Sequence, residues 1–279
     1  MKLKWVAVFD FDGTCIPLKP YKSLYDAIDS NNGITQKCHE SAKRMRRHYF
    51  SKLHSRFLTQ KEEKKWFKDT IELYVKSRTD MKKVREILRQ VKLRNGVKEC
   101  FEELKSCEVP IAIISYGVRQ FIEISLELNG VRHLVDEIYA AKLRLNRRGV
   151  IIGLDDSTMI TPSDKKGASI SFADRCGVPH KNILGVGDSK NDACLGTERK
   201  NRIGIAENKE RTFELAIGMG TVVISQDFRP ITEWFRSRLG EILAPETEIP
   251  PCCNPLCGKD GQICRDCGNF MPRSPKLED

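Results

Sequence analysis

The sequence of 279 residues contains no apolar run long enough to cross a membrane. Its basic start from Met1 to Lys4 is similar to the beginning of a secretory signal, but Asp10 and Asp12 interrupt the apolar segment that follows. Internal repeats and low-complexity tracts are also lacking. We therefore expect a cytoplasmic protein with no signal peptide and no membrane partner.

The basic charge of the chain is concentrated in one segment. The net charge is +10, and residues 15–95 contain 21 Lys and Arg against 9 Asp and Glu, which gives this segment +12. The remainder of the chain therefore carries about −2. Such a segment can attract a phosphorylated or polyanionic ligand, and a solvated helical face would explain the same charges.

That basic segment has the apolar spacing of helices. Three stripes recur at helical intervals: Ala42, Met45, Tyr49, Leu53 and Phe57; Trp66, Phe67, Thr70, Ile71, Tyr74 and Val75; and Val84, Ile87, Leu88 and Val91. Thr59 and Glu62 form a capping-box pattern before the second stripe. The spacing predicts an all-helical domain over residues 15–95, inserted after the first strand.

The rest of the chain alternates between strand and helix patterns. Strands are predicted near residues 5–9, 109–115, 136–140, 183–187, 203–206 and 221–225, with a hairpin over 143–152 and helices near 97–104, 119–128 and 166–175. This order predicts an α/β fold with a Rossmann-like, mostly parallel sheet and helices on both faces. We assign residues 1–14 and 96–244 to this domain, and residues 245–279 to a linker and a small Cys-rich tail.

The first predicted strand ends in two acids. Residues 5–9 have no amphipathic alternation, which predicts a strand buried on both faces with Asp10 as its first exposed residue. Asp12 lies on the same side because side chains alternate along a strand, and Gly13 suits a tight turn. Open α/β sheets bind ligands at this end of their strands. One of two carboxylates there can attack as a nucleophile or bind a cation, while the other transfers protons.

Three later segments carry polar residues at strand or helix ends that face the same edge of the sheet. They are Ser115 with Gly117, Lys165 with Lys166, and Asp188 with Asp192. A glycine N–H can approach an anion closely, and an ammonium at a helix start favours negative charge. The spacing does not decide which of the two lysines reaches the site.

The ordered set of these motifs resembles the haloacid dehalogenase superfamily of phosphohydrolases over residues 1–226. The motif pattern is most similar to that of phosphoserine-phosphatase-like members, since Lys166 to Ile170 matches their Lys-Gly-x-x-Ile pattern. The inserted helical segment occupies the cap position, and it is also similar to the cap of pyrimidine 5′-nucleotidases. The acid at position 12 is typical of the phosphatases in this superfamily, whereas its dehalogenases lack an acid there.

The resemblance implies a mechanism for the acids. Asp10 is the expected nucleophile that forms an aspartyl phosphate, and Asp12 is the expected general acid and base. A Mg²⁺ ion is expected on Asp10, the Asp12 backbone carbonyl and Asp188, with Asp192 supporting the metal shell or the lysine. The resemblance also implies that Ser115, Gly117 and Lys166 bind the phosphate.

The expected substrate is a small phosphate monoester. Phosphoserine phosphatases carry an acid for the substrate ammonium soon after the first motif, whereas this chain has Lys19 and Lys22 there. We therefore expect a substrate without an amine. A nucleotidase or nucleic-acid-end phosphatase is one alternative, and a nucleic-acid or protein binding module with a vestigial phosphatase site is another.

The tail holds five of the chain's eleven cysteines, at positions 252, 253, 257, 264 and 267. Two thiolate pairs, Cys253 with Cys257 and Cys264 with Cys267, suit a structural Zn²⁺, and Cys252 can replace Cys253. Disulfides and a disordered tail are the alternatives. Zinc knuckles often contact proteins or nucleic acids, so we leave a docking role for the tail open.

Overall fold

The computed structural model describes residues 5–55 and 58–243. The chain divides into two units, Met1–Glu233 and Trp234–Asp279. The cysteine tail and its predicted zinc ligands, Cys253, Cys257, Cys264 and Cys267, lie outside the described residues. No helix in the described part is long and apolar enough to span a bilayer.

The predicted strands and helices occur in the expected order, and two further helices, over Thr212–Gly218 and Arg229–Leu243, were not predicted. The strands are β1 (Val6–Phe9), β2 (Ile111–Val118), β3 (Glu137–Leu145), β4 (Ile151–Asp155), β5 (Ile183–Gly187), β6 (Arg202–Ala206) and β7 (Thr221–Ile224). The helices are α1 (Leu24–Ser30), α2 (Gln36–Ser55), α3 (Gln60–Lys76), α4 (Met81–Leu88), α5 (Val97–Ser106), α6 (Arg119–Leu128), α7 (Lys165–Arg175), α8 (Thr212–Gly218) and α9 (Arg229–Leu243). The last helix continues into the second unit.

The seven strands form one sheet in the order β4-β3-β2-β1-β5-β6-β7. Every neighbouring pair is parallel except β3 and β4, which form the predicted antiparallel hairpin. The strand order reverses at β1, which pairs with β2 on one side and with β5 on the other. Such a switch point opens a crevice beyond the carboxyl ends of these strands. The predicted fold class is therefore confirmed.

β1 is buried on both faces, as its lack of alternation predicts. Val6 and Val8 belong to one apolar cluster with Phe172 of α7. The ring of Phe9 lies 4.9 Å from that of Phe101 in α5, on centroids. Helices therefore cover both faces of the sheet beside the switch point, and the carboxyl end of β1 is the place where polar groups can emerge.

The inserted segment between β1 and α5 contains the helices α1 to α4. α1 lies in the segment that the sequence predicts to be helical, although its seven residues are too short for a clear stripe. It begins where the side chain of Ser23 accepts a hydrogen bond from Asp26 N. The capping box of Thr59 and Glu62 is present at the start of α3, which confirms that prediction.

β2 is longer than predicted. We expected it to end at Ser115, but the strand continues to Val118. Its pairing with β3 shifts register between Ile114 and Val118. An irregularity of this kind interrupts the regular alternation of side chains between the two faces of the sheet. It lies beside the switch point.

Candidate active site

The acids of the first and last motifs meet at the switch point. Asp10 directly follows β1 and Asp188 directly follows β5, its parallel neighbour. Both are almost fully buried, and with Asp192 they offer carboxylate oxygens that all lie within 4.8 Å of one another. Burial and the other two carboxyl groups raise the pKa of Asp10 well above its ordinary value, although the nearby Lys165 lowers it.

Asp12 lies on a turn that glycine makes possible. Gly13 has a φ of +83°, and a Cβ there would come 2.3 Å from an Asp188 carboxylate oxygen. Asp12 Oδ1 accepts a hydrogen bond from the backbone N–H of Leu24, 2.9 Å away, at the start of α1. Removal from water raises the pKa of Asp12 to about 6, with Leu24 and Lys165 acting in the opposite direction. A carboxyl group near that value can both give and accept a proton.

Lys165, and not Lys166, reaches the acids. The Nζ of Lys165 lies 2.6 Å from Asp10 Oδ1 and 2.6 Å from Asp192 Oδ1, and its side chain is 4% exposed. Burial alone would lower the pKa of Lys165, but the two carboxylates outweigh it and raise the pKa. Lys166 is exposed, so the structure does not bring it to the site where we expected it.

The helical phase of α7 explains which lysine is inside. Ala168, Ser169 and Phe172 are buried, and they follow Lys165 at intervals of three, four and seven residues. Lys165 therefore shares the buried face of the helix, whereas Lys166 is turned away from it. The helical spacing of these residues can be read from the sequence. It distinguishes Lys165 from Lys166, which the motif pattern alone does not.

Asp192 is fixed by hydrogen bonds to both of its carboxylate oxygens. Oδ1 accepts from Lys165, and Oδ2 accepts from Ser189 Oγ at 2.7 Å, Ser189 N at 2.9 Å and Asp188 N at 3.2 Å. The residue is 1% exposed. A Cβ on Gly187 would lie 2.1 Å from the Asp192 Cβ, so only glycine fits against it. Asp192 thus orients both Lys165 and the segment that carries Asp188.

Ser115 and Gly117 lie at the register shift of β2, on the same side as the acids. A Cβ built on Gly117 would lie 3.1 Å from Ser115 Oγ and 3.9 Å from Asp12 Oδ2. Ser115 is buried, and its side chain lines the same cavity as Asp10 and Asp12. The structure therefore brings together the predicted residues of three motifs, with Lys165 in the place of Lys166 in the fourth.

Arg211 also lies at the site, and no motif marks it. Its Nη1 is 3.0 Å from Asp188 Oδ2. Burial and Asp192 raise the pKa of Asp188 to about 7, while Arg211 and Lys165 lower it. Arg211 precedes α8 by one residue, and its distance of 23 positions from Asp188 in the sequence leaves no local pattern to reveal the pair.

A cavity of about 280 Å³ extends from these acids to the inserted helices. Its wall in the insert includes Tyr25, Tyr49 and Trp66. The rings of Tyr49 and Trp66 are stacked with centroids 4.6 Å apart, and Tyr25 meets Trp66 edge-on at 6.5 Å. Tyr116 of β2 donates a hydrogen bond to the backbone carbonyl of Glu63, which joins the sheet to α3 beside the cavity.

The fold and the four converging motifs define a haloacid-dehalogenase-like phosphatase. Residues 16–207 match the family model described as pyrimidine 5′-nucleotidase (UMPH-1), and the chain belongs to this family. It is a phosphoric monoester hydrolase of the haloacid dehalogenase superfamily, as the motifs led us to expect.

Solved structures share the fold at low sequence identity. A cytosolic 5′-nucleotidase IIIB bound to cytidine superimposes with a TM-score of 0.66 at 16% identity, over 86% of this chain and 88% of that one. A phosphoserine phosphatase in apo form gives 0.60 at 18% identity, over 83% and 98% of the two chains. A phospho-aspartyl intermediate analogue of phosphoserine phosphatase also gives 0.60 at 18%, over 84% and 99%.

Proposed function

We propose that the chain is a Mg²⁺-dependent nucleotidase that hydrolyses a nucleoside monophosphate through an aspartyl phosphate. The proposal rests mainly on one observation: the same cavity contains the buried acids and the aromatic wall of the insert. A phosphate fits at the acids, and a planar base fits at the wall. The family match and the likeness to a nucleotidase bound to cytidine support the same class of substrate.

The wall has the chemistry that a nucleoside needs. The stacked rings of Tyr49 and Trp66 offer an aromatic surface for a base. Two buried donors of this wall, Trp66 Nε1 and Tyr25 Oη, have no hydrogen-bond partner among the residues that the structure describes. Both atoms are shielded from water, and a buried donor without a partner costs free energy.

One carboxylate of this wall is already paired with a cation. Asp29 lies on the cavity, but its carboxylate is held by Arg46 Nη2 at 2.7 Å and by Tyr74 Oη at 2.7 Å. Lys22 lines the cavity as well. These contacts support the expectation, drawn from Lys19 and Lys22 in the sequence, that the substrate is not phosphoserine.

The first half of the reaction transfers the phosphoryl group to the enzyme. Asp10 attacks phosphorus, the bond from phosphorus to the ester oxygen breaks, and protonated Asp12 gives its proton to the leaving oxygen. Lys165 and Ser115 bind the phosphoryl oxygens as charge moves onto them. Lys165 also holds Asp10 in place through the 2.6 Å ion pair.

The second half releases inorganic phosphate. Asp12, now ionised, removes a proton from a water molecule whose oxygen attacks the phosphorus of the aspartyl phosphate. The bond between phosphorus and Asp10 breaks, and Asp12 is again protonated. The pKa of about 6 for Asp12 suits this exchange of roles, because neither form is then strongly disfavoured near neutral pH.

The donor set at the acids fits Mg²⁺. Among the described residues, the cluster of Asp10, Asp188 and Asp192 is the one group of potential metal ligands, and its hard oxygen atoms are those that Mg²⁺ prefers. Both oxygens of Asp192 are already occupied, so we assign Asp10, Asp188 and the backbone carbonyl of Asp12 as ligands. When bound, the ion would offset the repulsion between a carboxylate nucleophile and a phosphate.

The test is a comparison of phosphate esters that differ only in the base. We expect nucleoside 5′-monophosphates to be hydrolysed with a kcat/KM at least about tenfold above that of ribose 5-phosphate, with Mg²⁺ required. Asp10→Asn is the inactive control. Equal kcat/KM for the nucleotides and ribose 5-phosphate would rule out recognition of the base and leave a less selective phosphomonoesterase.

Several expectations from the sequence remain predictions. They are the domain limits at residues 14, 95 and 244, the cytoplasmic location, the zinc site of the tail, and a docking role of the tail for protein or nucleic acid. Metal analysis of the chain with and without the residues beyond Pro250 would test the zinc site, and one bound Zn²⁺ lost on truncation is the expected result.

A further inference from the structure

Arg94 binds the three backbone carbonyls that follow Asp12 by one, two and three residues. Its Nη2 donates to Gly13 O at 2.7 Å, its Nε to Thr14 O at 2.9 Å, and its backbone N–H to Cys15 O at 2.9 Å. Arg94 lies where the chain returns from the insert to the sheet, and it is 3% exposed. Arg94 therefore connects the segment that enters the insert to the segment that leaves it.

The guanidinium of Arg94 is also anchored to the segments that follow β6 and β7. Arg94 Nη2 lies 2.9 Å from Glu207 Oε1, and Glu207 directly follows β6. The same oxygen accepts a hydrogen bond from Leu18 N at 2.8 Å, and Arg94 Nη1 reaches Gln226 O at 3.5 Å. The side chain of Arg94 is 0% exposed and that of Glu207 is 9% exposed. The contacts of Arg94 are therefore sheltered from water, and its planar fork suits several acceptors at once.

The loop that Arg94 binds determines where Asp12 points. Phe11 O accepts hydrogen bonds from the N–H groups of residues 14, 15 and 16, which makes this a tight turn around Asp12. Within this turn Gly13 lies against Asp188 and leaves no room to move towards it. The side chain of Arg94 holds the carbonyls of Gly13 and Thr14, so its hydrogen bonds restrain the peptide groups that directly follow Asp12.

We propose that Arg94 is a positioning residue for Asp12, acting through the carbonyls of Gly13 and Thr14. The proposal rests on the proposed function, in which Asp12 protonates the leaving oxygen. Arg94 does not line the cavity and touches no substrate there. Without its side chain the turn loses two hydrogen bonds, and the ion pair that anchors them to Glu207 is lost as well. Asp12 then samples positions from which it cannot reach the ester oxygen.

A series of phosphate esters separates this role from a merely structural one. p-Nitrophenyl, phenyl and benzyl phosphate are similar in size, but the need to protonate the leaving group increases in that order. kcat/KM reports the steps up to release of the leaving group. Its ratio between two esters, measured on one preparation, does not depend on the fraction of protein that is folded.

We expect Arg94→Met to lower kcat/KM for benzyl phosphate about tenfold more than for p-nitrophenyl phosphate, because general acid catalysis supplies a large part of the rate only for the poor leaving group. Arg94→Lys, which keeps the charge but not the fork, should show a smaller change in the same direction. Arg202→Met is the matched control. Arg202 also binds backbone carbonyls, those of Gly196, Thr197 and Gly218, but it does not contact the Asp12 turn.

Asp12→Asn distinguishes the failure of this proposal from that of the proposed function. If Asp12→Asn changes the ester ratio but Arg94→Met and Arg94→Lys leave it at the level of Arg202→Met, then Arg94 does not position Asp12. If Asp12→Asn itself leaves the ratio unchanged, the role of Asp12 as proton donor is wrong, and the proposal for Arg94 is overturned with it.

Discussion

Lys165 Nζ is shared between Asp10 Oδ1 and Asp192 Oδ1, at 2.6 Å from each. One cation therefore holds the proposed nucleophile and the residue that orients the last motif. All three groups are buried, and a buried charge is tolerated only when it is paired. The ion-paired trio is thus both a structural unit and the electrostatic centre of the site.

The two adjacent lysines form a matched pair of variants. Lys165→Met should lower kcat/KM by about 10²- to 10³-fold, the usual effect of removing one group that stabilises a developing negative charge. Lys166→Met should change kcat/KM by less than about threefold, because Lys166 is exposed. Steady-state kinetics on both variants checks the assignment, and a larger loss for Lys166→Met than for Lys165→Met would reverse it.

Asp192→Asn should weaken the site without removing a metal ligand. Asparagine has one acceptor oxygen in place of two, so Lys165 and the N–H groups of residues 188 and 189 cannot all be satisfied. We expect a loss of about 10- to 100-fold in Mg²⁺ affinity, as for other partners that orient metal ligands. Isothermal titration with Mg²⁺ measures this. The exposed Asp174→Asn is the control, and equal affinities for the two variants would contradict the role of Asp192.

The pH dependence of stability should report the buried carboxyl groups. Burial raises the pKa of Asp12 to about 6 and that of Asp188 to about 7, whereas both ionise near their ordinary values in the unfolded chain. Between pH 4 and pH 7 the folded protein therefore holds protons that the unfolded chain has released. Stability of the metal-free protein should fall as pH rises through this range, since the folded state must then either keep the protons or ionise in a buried site.

Mg²⁺ should restore the stability that is lost at higher pH. The ion binds the ionised carboxylates of the folded state and so stabilises it by mass action. We expect Mg²⁺ to raise Tm more at pH 8 than at pH 5, relative to the same protein in EDTA, and Asp188→Asn to abolish most of the difference. An equal shift of Tm at both pH values would show that these carboxyl groups are not linked to the metal.

The aromatic wall predicts a substrate-dependent effect of Trp66→Ala. Loss of a stacked ring should raise KM for a nucleoside monophosphate about tenfold or more, because stacking of a base is worth roughly 1–3 kcal/mol. KM for ribose 5-phosphate should stay within about threefold, since that ester has no base to stack. An equal rise in both KM values would mean that Trp66 shapes the site in general and does not bind a base.

Much of the fold could be predicted from local patterns. The unbroken apolar run of β1 indicated burial on two faces, and Val8 and Phe9 do pack against helices on opposite faces. The ends of β1 and β5 placed Asp10 and Asp188 at one edge, because parallel neighbours end together. Periodicity of two or 3.6 residues and the ends of elements are local properties, and a sequence displays them directly.

The contacts that complete the site are not local. Arg94 binds carbonyls about 80 positions earlier in the chain, and Arg211 pairs with Asp188 across separate elements. Such pairs depend on how the elements are packed, which no spacing reveals. Lys165 was an intermediate case, since the motif left two lysines open and the burial phase of α7 distinguishes them. The extension of β2 beyond Ser115 depends on pairing with β3, again a tertiary effect.

In the proposed mechanism Asp10 carries the phosphoryl group during turnover. Rapid acid quenching of the enzyme with ³²P-labelled nucleoside monophosphate and Mg²⁺, followed by peptide mapping, identifies the residue that is phosphorylated. We predict label on Asp10 alone, formed and lost at rates consistent with kcat, and none on Asp10→Asn, which should be inactive. Label on another residue, or phosphate release by Asp10→Asn at a rate near that of the native enzyme, would contradict the mechanism.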